Sequence, residues 1–189
     1  MDTKISINYT GEEKQNENSI TFDIKGEKDK GLNKSIINSL RRVLLSSIPS
    51  VGFRTEMDNS DIKILKNTTQ LHNEFILHRI GMIPLYIDPS KYNKDYLFKL
   101  KVESSTENHI TKISAKDFDI FTLKDGEKPS EDNSIQIDKY NNTPITDKEK
   151  EKIFRPFLGK YYCEITELKS TNSETLKEEL ELYGVPRVS

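Results

Sequence analysis

The sequence predicts an α+β fold, on three observations. Segments that alternate apolar and polar residues lie both before and after the helical ones, helices do not recur between successive strands as a βαβ chain requires, and no internal repeat is visible. At 189 residues the chain is long enough for one good core or two small ones. The apolar fraction is 33% against 32% charged, polar for a compact monomer. That balance fits generous loops or a subunit that completes its core against a partner.

The elements follow in order. Ile5, Ile7 and Tyr9 alternate with polar residues as one strand, and Ile20, Phe22 and Ile24 as a second, so the two form a hairpin with a long polar tip. Asn33 or Ser35 caps a helix from Lys34 to Ile48, and Pro49 stops it. Ile36, Ile37, Leu40, Val43, Leu44, Leu45 and Ile48 cover an arc about 200° wide on that helix. This is more than one small sheet needs, so a second chain is expected on the spare side. Short strands with a turn at Asp58-Asn59 come next. A second helix over "TQLHNEFILHRIG" starts at a Thr cap and ends at Gly81 as a left-handed residue. Its apolar residues point to several sides, which predicts an enclosed helix. "DYLFKLKVES", "HITKISAKDFDIF", "NSIQID" and "KYYCEITELK" read as further strands, and "TDKEKEKIFRPFLG" as a short helix or turn. "SETLKEELELYGVPRVS" reads as an acidic amphipathic piece with a Gly/Pro-punctuated end.

Composition excludes several functions. The 29 basic and 31 acidic side chains nearly cancel, to a net charge of -2, so no global field recruits nucleic acid. One cysteine, Cys163, leaves no internal disulfide or cysteine-rich zinc cluster, and its apolar flanks predict a small buried side chain. No signal peptide or stretch of membrane-spanning length is present, so a soluble intracellular protein is expected.

Little chemistry remains. His72 and His78 lie six apart and point about 120° from each other on a straight helix, so one metal cannot use both. His109 sits in a loop, "GEKDKG" lacks the phosphate-loop pattern, and no G-x-S-x-G elbow appears. The arginines stand out. Arg41-Arg42 is either a pair lying along a surface helix or a set of guanidinium donors aimed at a partner's carboxylates and carbonyls. His78-Arg79, beside a glycine-ended helix, poses the same choice.

"NSLRRVLLSSIPS" (38–50) resembles the signature helix of RNA polymerase assembly subunits: bacterial alpha, the archaeal D-type polypeptide and the third-largest eukaryotic subunit. "LHNEFILHRIGMIPL" (71–85) resembles the second signature of the archaeal, eukaryotic and large-DNA-virus branch, and "ISAKDFDI" is similar to a serine-lysine-aspartate strand of the family. The resemblance implies an alpha-like dimerisation domain, its N-terminal half at 1–50, and a mostly-β insert domain at 51–189. It implies a heterodimer with a small alpha-like partner, of the eleventh-subunit or archaeal L type. The second-largest and then the largest catalytic subunits assemble on that pair.

By matching position, Asn38, Leu40, Arg41, Arg42 and Leu44 belong to the first motif. Its apolar residues are expected in the heterodimer and its arginines on the large subunits. Glu74, His78, Arg79, Gly81 and Pro84 belong to the second, expected to face the second-largest subunit. The chain itself is expected to be non-catalytic, with no cofactor, no metal and no sequence-specific nucleic-acid contact, residing with its polymerase in a nucleus or, for a virus, in cytoplasm or virion. The sequence departs from relatives that carry zinc or iron–sulfur cysteines. It also stops at Ser189, before the return to the dimerisation sheet, which is expected from a fragment, a split subunit or a truncated paralogue acting as a competitor.

Overall fold

A computed structural model describes residues 6–9, 22–25, 34–56, 59–105, 109–131, 134–170 and 177–189. The chain divides into two compact units, Met1–Ile48 and Pro49–Ser189.

In the first unit, strands β1 (Ser6–Tyr9) and β2 (Phe22–Lys25) pair antiparallel, with Ile7 opposite Ile24. Ile5, Ile20, the hairpin tip and the expected cap Asn33 lie outside the described residues. Helix α1 runs from Lys34 to Ser46. It ends slightly before the expected Ile48, because the restriction that Pro49 places on its predecessor pushes the chain out of helical geometry. Ser47 N–H still reaches the Val43 carbonyl, at 2.9 Å. No residue of α1 is buried.

The second unit is built around a five-stranded antiparallel sheet in the order β4-β10-β5-β7-β8. Its strands are β4 (Ile62–Asn67), β5 (Tyr96–Glu103), β7 (Asp119–Leu123), β8 (Tyr140–Pro144) and β10 (Glu179–Gly184). Two smaller antiparallel pairs accompany it: β6 (Ile110–Ser114) with β9 (Glu164–Lys169), and β3 (Val51–Gly52) with β11 (Arg187–Val188). Helices α2 (Asn73–Gly81) and α3 (Asp147–Phe154) complete it.

Strand alternation divides the core. Phe98, Leu100, Leu180 and Leu182 point to the larger side, where they meet Ile76 and Ile80 of α2, Ile165 and Leu168 of β9, and Phe118 and Phe154. Phe98 stands edge-on to Phe53, Phe118 and Phe154 at centroid distances of 5.3, 6.0 and 5.9 Å. Leu97 and Tyr183 point the other way and pack with Tyr140 and Val185. The described elements are thus mixed helix and mostly antiparallel strand, which agrees with α+β.

The acidic C-terminal piece, which the sequence leaves without an element type, is β10, the second strand of the main sheet, and several expectations are corrected beside it. Its leucines at 180 and 182 satisfy a two-residue period, and its glutamates are matched by neighbouring strands. Glu179 pairs with Lys66, and Glu181 with Lys101 at 3.6 Å. The described part of "NSIQID", residues 134–138, forms no strand: Ile135 packs against the smaller core while Ile137 is exposed in a 3-10 turn, and strand structure starts only at Tyr140. "ISAKDFDI" is interrupted at Ala115–Asp117 by a 3-10 turn. Asp117 Oδ2 accepts from the Ser114 N–H at 2.7 Å and its hydroxyl at 3.1 Å, which takes the backbone off the ladder. Cys163 is exposed, because it precedes β9 and only its carbonyl is engaged, by Ala115 N–H at 2.9 Å. The Asp58-Asn59 turn lies partly outside the described residues.

Candidate functional site

The seven apolar residues of the arc, six on α1 and Ile48 just beyond its end, are between 37% and 76% exposed, Leu40 the least and Leu45 the most, with Leu44 between them. Asn38 and Arg41, three apart, meet on the helix surface. Arg41 Nε and Nη2 both donate to Asn38 Oδ1, at 3.2 and 2.9 Å. This fixes the plane of the Arg41 guanidinium with two of its five donors. Arg42 is exposed, and its carbonyl accepts from the Ser46 hydroxyl at 2.8 Å.

Helix α2 begins after His72, whose backbone is extended and whose side chain makes no capping bond. The expected Thr cap is corrected: Thr69 Oγ1 accepts from the Leu71 N–H at 3.2 Å, ahead of the helix. Asn67 fixes the approach to the helix, donating to the Leu71 carbonyl at 2.9 Å and to Asn73 Oδ1 at 2.7 Å. Glu74 in the first turn and His78 and Arg79 in the last complement the helix dipole. Ile76, Leu77 and Ile80 are buried. The helix is therefore not enclosed, since Phe75 is 63% exposed and Met82, its C-cap, 71%. Phe75, His78, Arg79 and Met82 follow the i, i+3, i+4, i+7 rule and form one outward stripe, basic in the middle and apolar at both ends.

Arg79 also has an inward task. The β6–β9 ladder slips between Ile113 and Ser114, so Ile165 is passed over in the pairing while its side chain is fully buried. Arg79 Nη1 donates to the Ile165 carbonyl at 2.8 Å. That ties α2 to β9 and satisfies the group that the bulge leaves unpaired.

Gly81 is not left-handed, which corrects the expected C-terminal signal; the positive-φ glycines described are Gly126 and Gly159. Its reason is steric. A Cβ there would lie 2.6 Å from Thr55 Cγ2 and 3.4 Å from the Phe53 carbonyl. The helix end can approach the 53–55 segment only without a side chain. Beyond it Ile83 and Leu85 are buried and Pro84 is exposed between them. Gly81, Met82 and Pro84 border a groove of about 340 Å³ whose other wall is Val51–Arg54, with Ser189 at one end. Asp61, 3% exposed, braces that wall from behind: Oδ2 accepts from the Arg54 N–H at 3.0 Å, and Arg187 Nε pairs with Oδ1.

Sequence reading missed Thr55 and Ile165, the partners of Gly81 and Arg79, because tertiary contact alone selects them. Phe75 and Met82 carried a legible signal, the seven-residue spacing across His78-Arg79. Among the described residues, no group of three or more His, Cys, Asp or Glu side chains is arranged to hold a metal, and no helix is long and apolar enough to cross a membrane.

No family model matches the chain. It is 34% identical over 94 residues to a subunit of DNA-directed RNA polymerases I and III (rpac1) of Dictyostelium discoideum, covering 44% of this chain and 26% of that protein. It is 30% identical over 124 residues to a conjugation stage-specific protein of Tetrahymena thermophila, covering 57% and 38%. Over 55 residues it is 38% identical to the DNA-directed RNA polymerase subunit Rpo3 of Pyrobaculum aerophilum, covering 29% and 19%. The chain thus spans well under half the length of these relatives.

Proposed function

We propose that the chain is a member of the alpha-like family of RNA polymerase subunits, as its likeness to rpac1 and Rpo3 supports, and that it is a non-catalytic platform subunit of a multisubunit DNA-directed RNA polymerase. In this reading the apolar arc of α1 pairs with a small alpha-like subunit in an alpha-like dimerisation domain. Arg41 and Arg42 bind a large subunit, and the outward stripe of α2 with Pro84 docks the second-largest. The observation that carries the proposal is the exposure of all seven apolar residues of the α1 arc. Contiguous apolar surface on that scale marks an interaction site. The stripe of α2 adds a surface of the kind that protein partners favour, an Arg flanked by an aromatic residue and a Met.

Co-expression of the tagged chain with the small alpha-like subunit and the two largest subunits tests it. Arg41→Ala combined with Arg42→Ala should keep the small partner and the melting temperature while lowering recovery of the large subunits at least tenfold. Leu40→Asp should lose the small partner first. Wild-type recovery of both large subunits by the double arginine variant would overturn the role given to those residues.

A further inference from the structure

Arg41 and Arg42 are neighbours in sequence but not in direction. Arg42 falls on the serine side of α1, while Arg41 falls midway between Ile37 and Leu45, about 40° from each. The apolar arc on the helix is therefore two surfaces. Val43, Ile36, Leu40, Leu44 and Ile37 span about 120°, and Leu45, 76% exposed, lies across Arg41 from them. Lys34, Asn38, Arg41 and Leu45 follow the i, i+4, i+7, i+11 rule and form an exposed stripe of their own.

Asn38 decides how Arg41 is held. Both bonds from the guanidinium, Nε at 3.2 Å and Nη2 at 2.9 Å, go to one oxygen, Asn38 Oδ1. They occupy the side edge of the group. The end edge, Nη1 and the second hydrogen of Nη2, has no partner among the described residues. Two parallel N–H donors at that edge match the two oxygens of one carboxylate. Because the plane is fixed before association, less side-chain freedom is lost on binding.

The helix supplies no acid of its own. From Gly31 to Thr55 the sequence holds neither Asp nor Glu, and neither arginine enters an ion pair among the described residues. From this geometry we infer that Asn38 is a positioning residue for Arg41, and that the partner surface presents one Asp or Glu end-on to the Arg41 guanidinium, beside an apolar socket for Leu45. Arg42, about 100° away around the helix, takes no part in that pair. The inference rests on the reading of α1 as a platform helix and puts the carboxylate on a large subunit.

The test uses the co-expressed complex with the small alpha-like subunit and both large subunits, reading large-subunit recovery relative to the small one. Arg41→Ala and Arg41→Lys should each lower it by about fivefold or more, because one ammonium does not replace a planar fork. Asn38→Ala should lower it by about threefold or more at an unreduced melting temperature, since alanine is the better helix former at an exposed site. Added to Arg41→Ala, Asn38→Ala should change nothing further, as a residue acting only through Arg41 must. Carbodiimide coupling of the Arg41→Lys complex should join position 41 to an Asp or Glu of a large subunit, identified by mass spectrometry. Wild-type recovery by the double arginine variant would remove the platform reading itself. With that reading intact, a smaller loss for Asn38→Ala or Arg41→Lys, an equal Asn38→Ala loss with and without Arg41, or coupling of position 41 to no acid of a large subunit would overturn the inference.

Discussion

Arg79 and Gly81 are two motif residues to which the structure gives concrete internal tasks. Truncating Arg79 would strand the Ile165 carbonyl in a buried bulge, at a cost of about 1–3 kcal/mol. Arg79→Ala should therefore lower the melting temperature by several degrees, whereas Arg41→Ala, on an exposed side chain, should not. Thermal melts of the two variants side by side decide it, and equal melting temperatures would refute the inward role of Arg79. Gly81→Ala sets a helix-propensity gain against a clash. Alanine stabilises unstrained glycine sites by about 0.4–1 kcal/mol, but a new Cβ 2.6 Å from Thr55 Cγ2 forces the neighbour to move, at a cost of about 1–3 kcal/mol. Gly81→Ala alone should destabilise. Combined with Thr55→Ser, which removes that methyl group, it should recover at least to the stability of Thr55→Ser alone. A double-variant cycle by denaturant melting measures the coupling.

At the scale of elements, α3 offers a pH-dependent feature. Glu149 Oε2 accepts from the Thr146 hydroxyl at 2.9 Å and the Thr146 N–H at 3.1 Å. These bonds, the hydroxyl first, hold the Glu149 carboxyl below the ordinary glutamate range. Because the folded-state value is the lower one, the stabilisation is complete above the unfolded-state value and disappears as pH falls through the folded one. The Thr146 amide resonance should follow a titration below the usual glutamate midpoint, absent in Glu149→Gln. A midpoint at or above the usual value would refute the capping role.

Apolar spacing places α1, end signals place α2, and alternation places β5 and β9. The acidic segment before Gly184 stays undecided because glutamates interleaved with leucines fit a helix as readily as a strand. Only the lysines of β4 and β5 across the ladder decide between them, and they are remote in sequence. The two arginine motifs are legible as residues. The bulge at Ile165 and the methyl group of Thr55, which explain Arg79 and Gly81 of the second motif, exist only after folding.

For the whole molecule, the division at Ile48 and Pro49 carries a prediction. Every member of the two buried clusters lies between Val51 and Val185. Residues 49–189 expressed alone should therefore melt cooperatively, within a few degrees of the corresponding transition in the full chain. A fragment without a cooperative transition would show that the first 48 residues stabilise the remainder. Ser50 and Ser189 exchange backbone hydrogen bonds, N–H to carbonyl at 3.1 and 3.0 Å, extending the β3–β11 pair by one rung. Residues 50 and 189 of the second unit thus lie side by side, roughly 5 Å apart. Such a body can be spliced into a surface loop of another protein without prying that loop open. It can also be closed on itself by a few added glycines and reopened at the exposed 124–128 turn, yielding a circular permutant with its core unchanged.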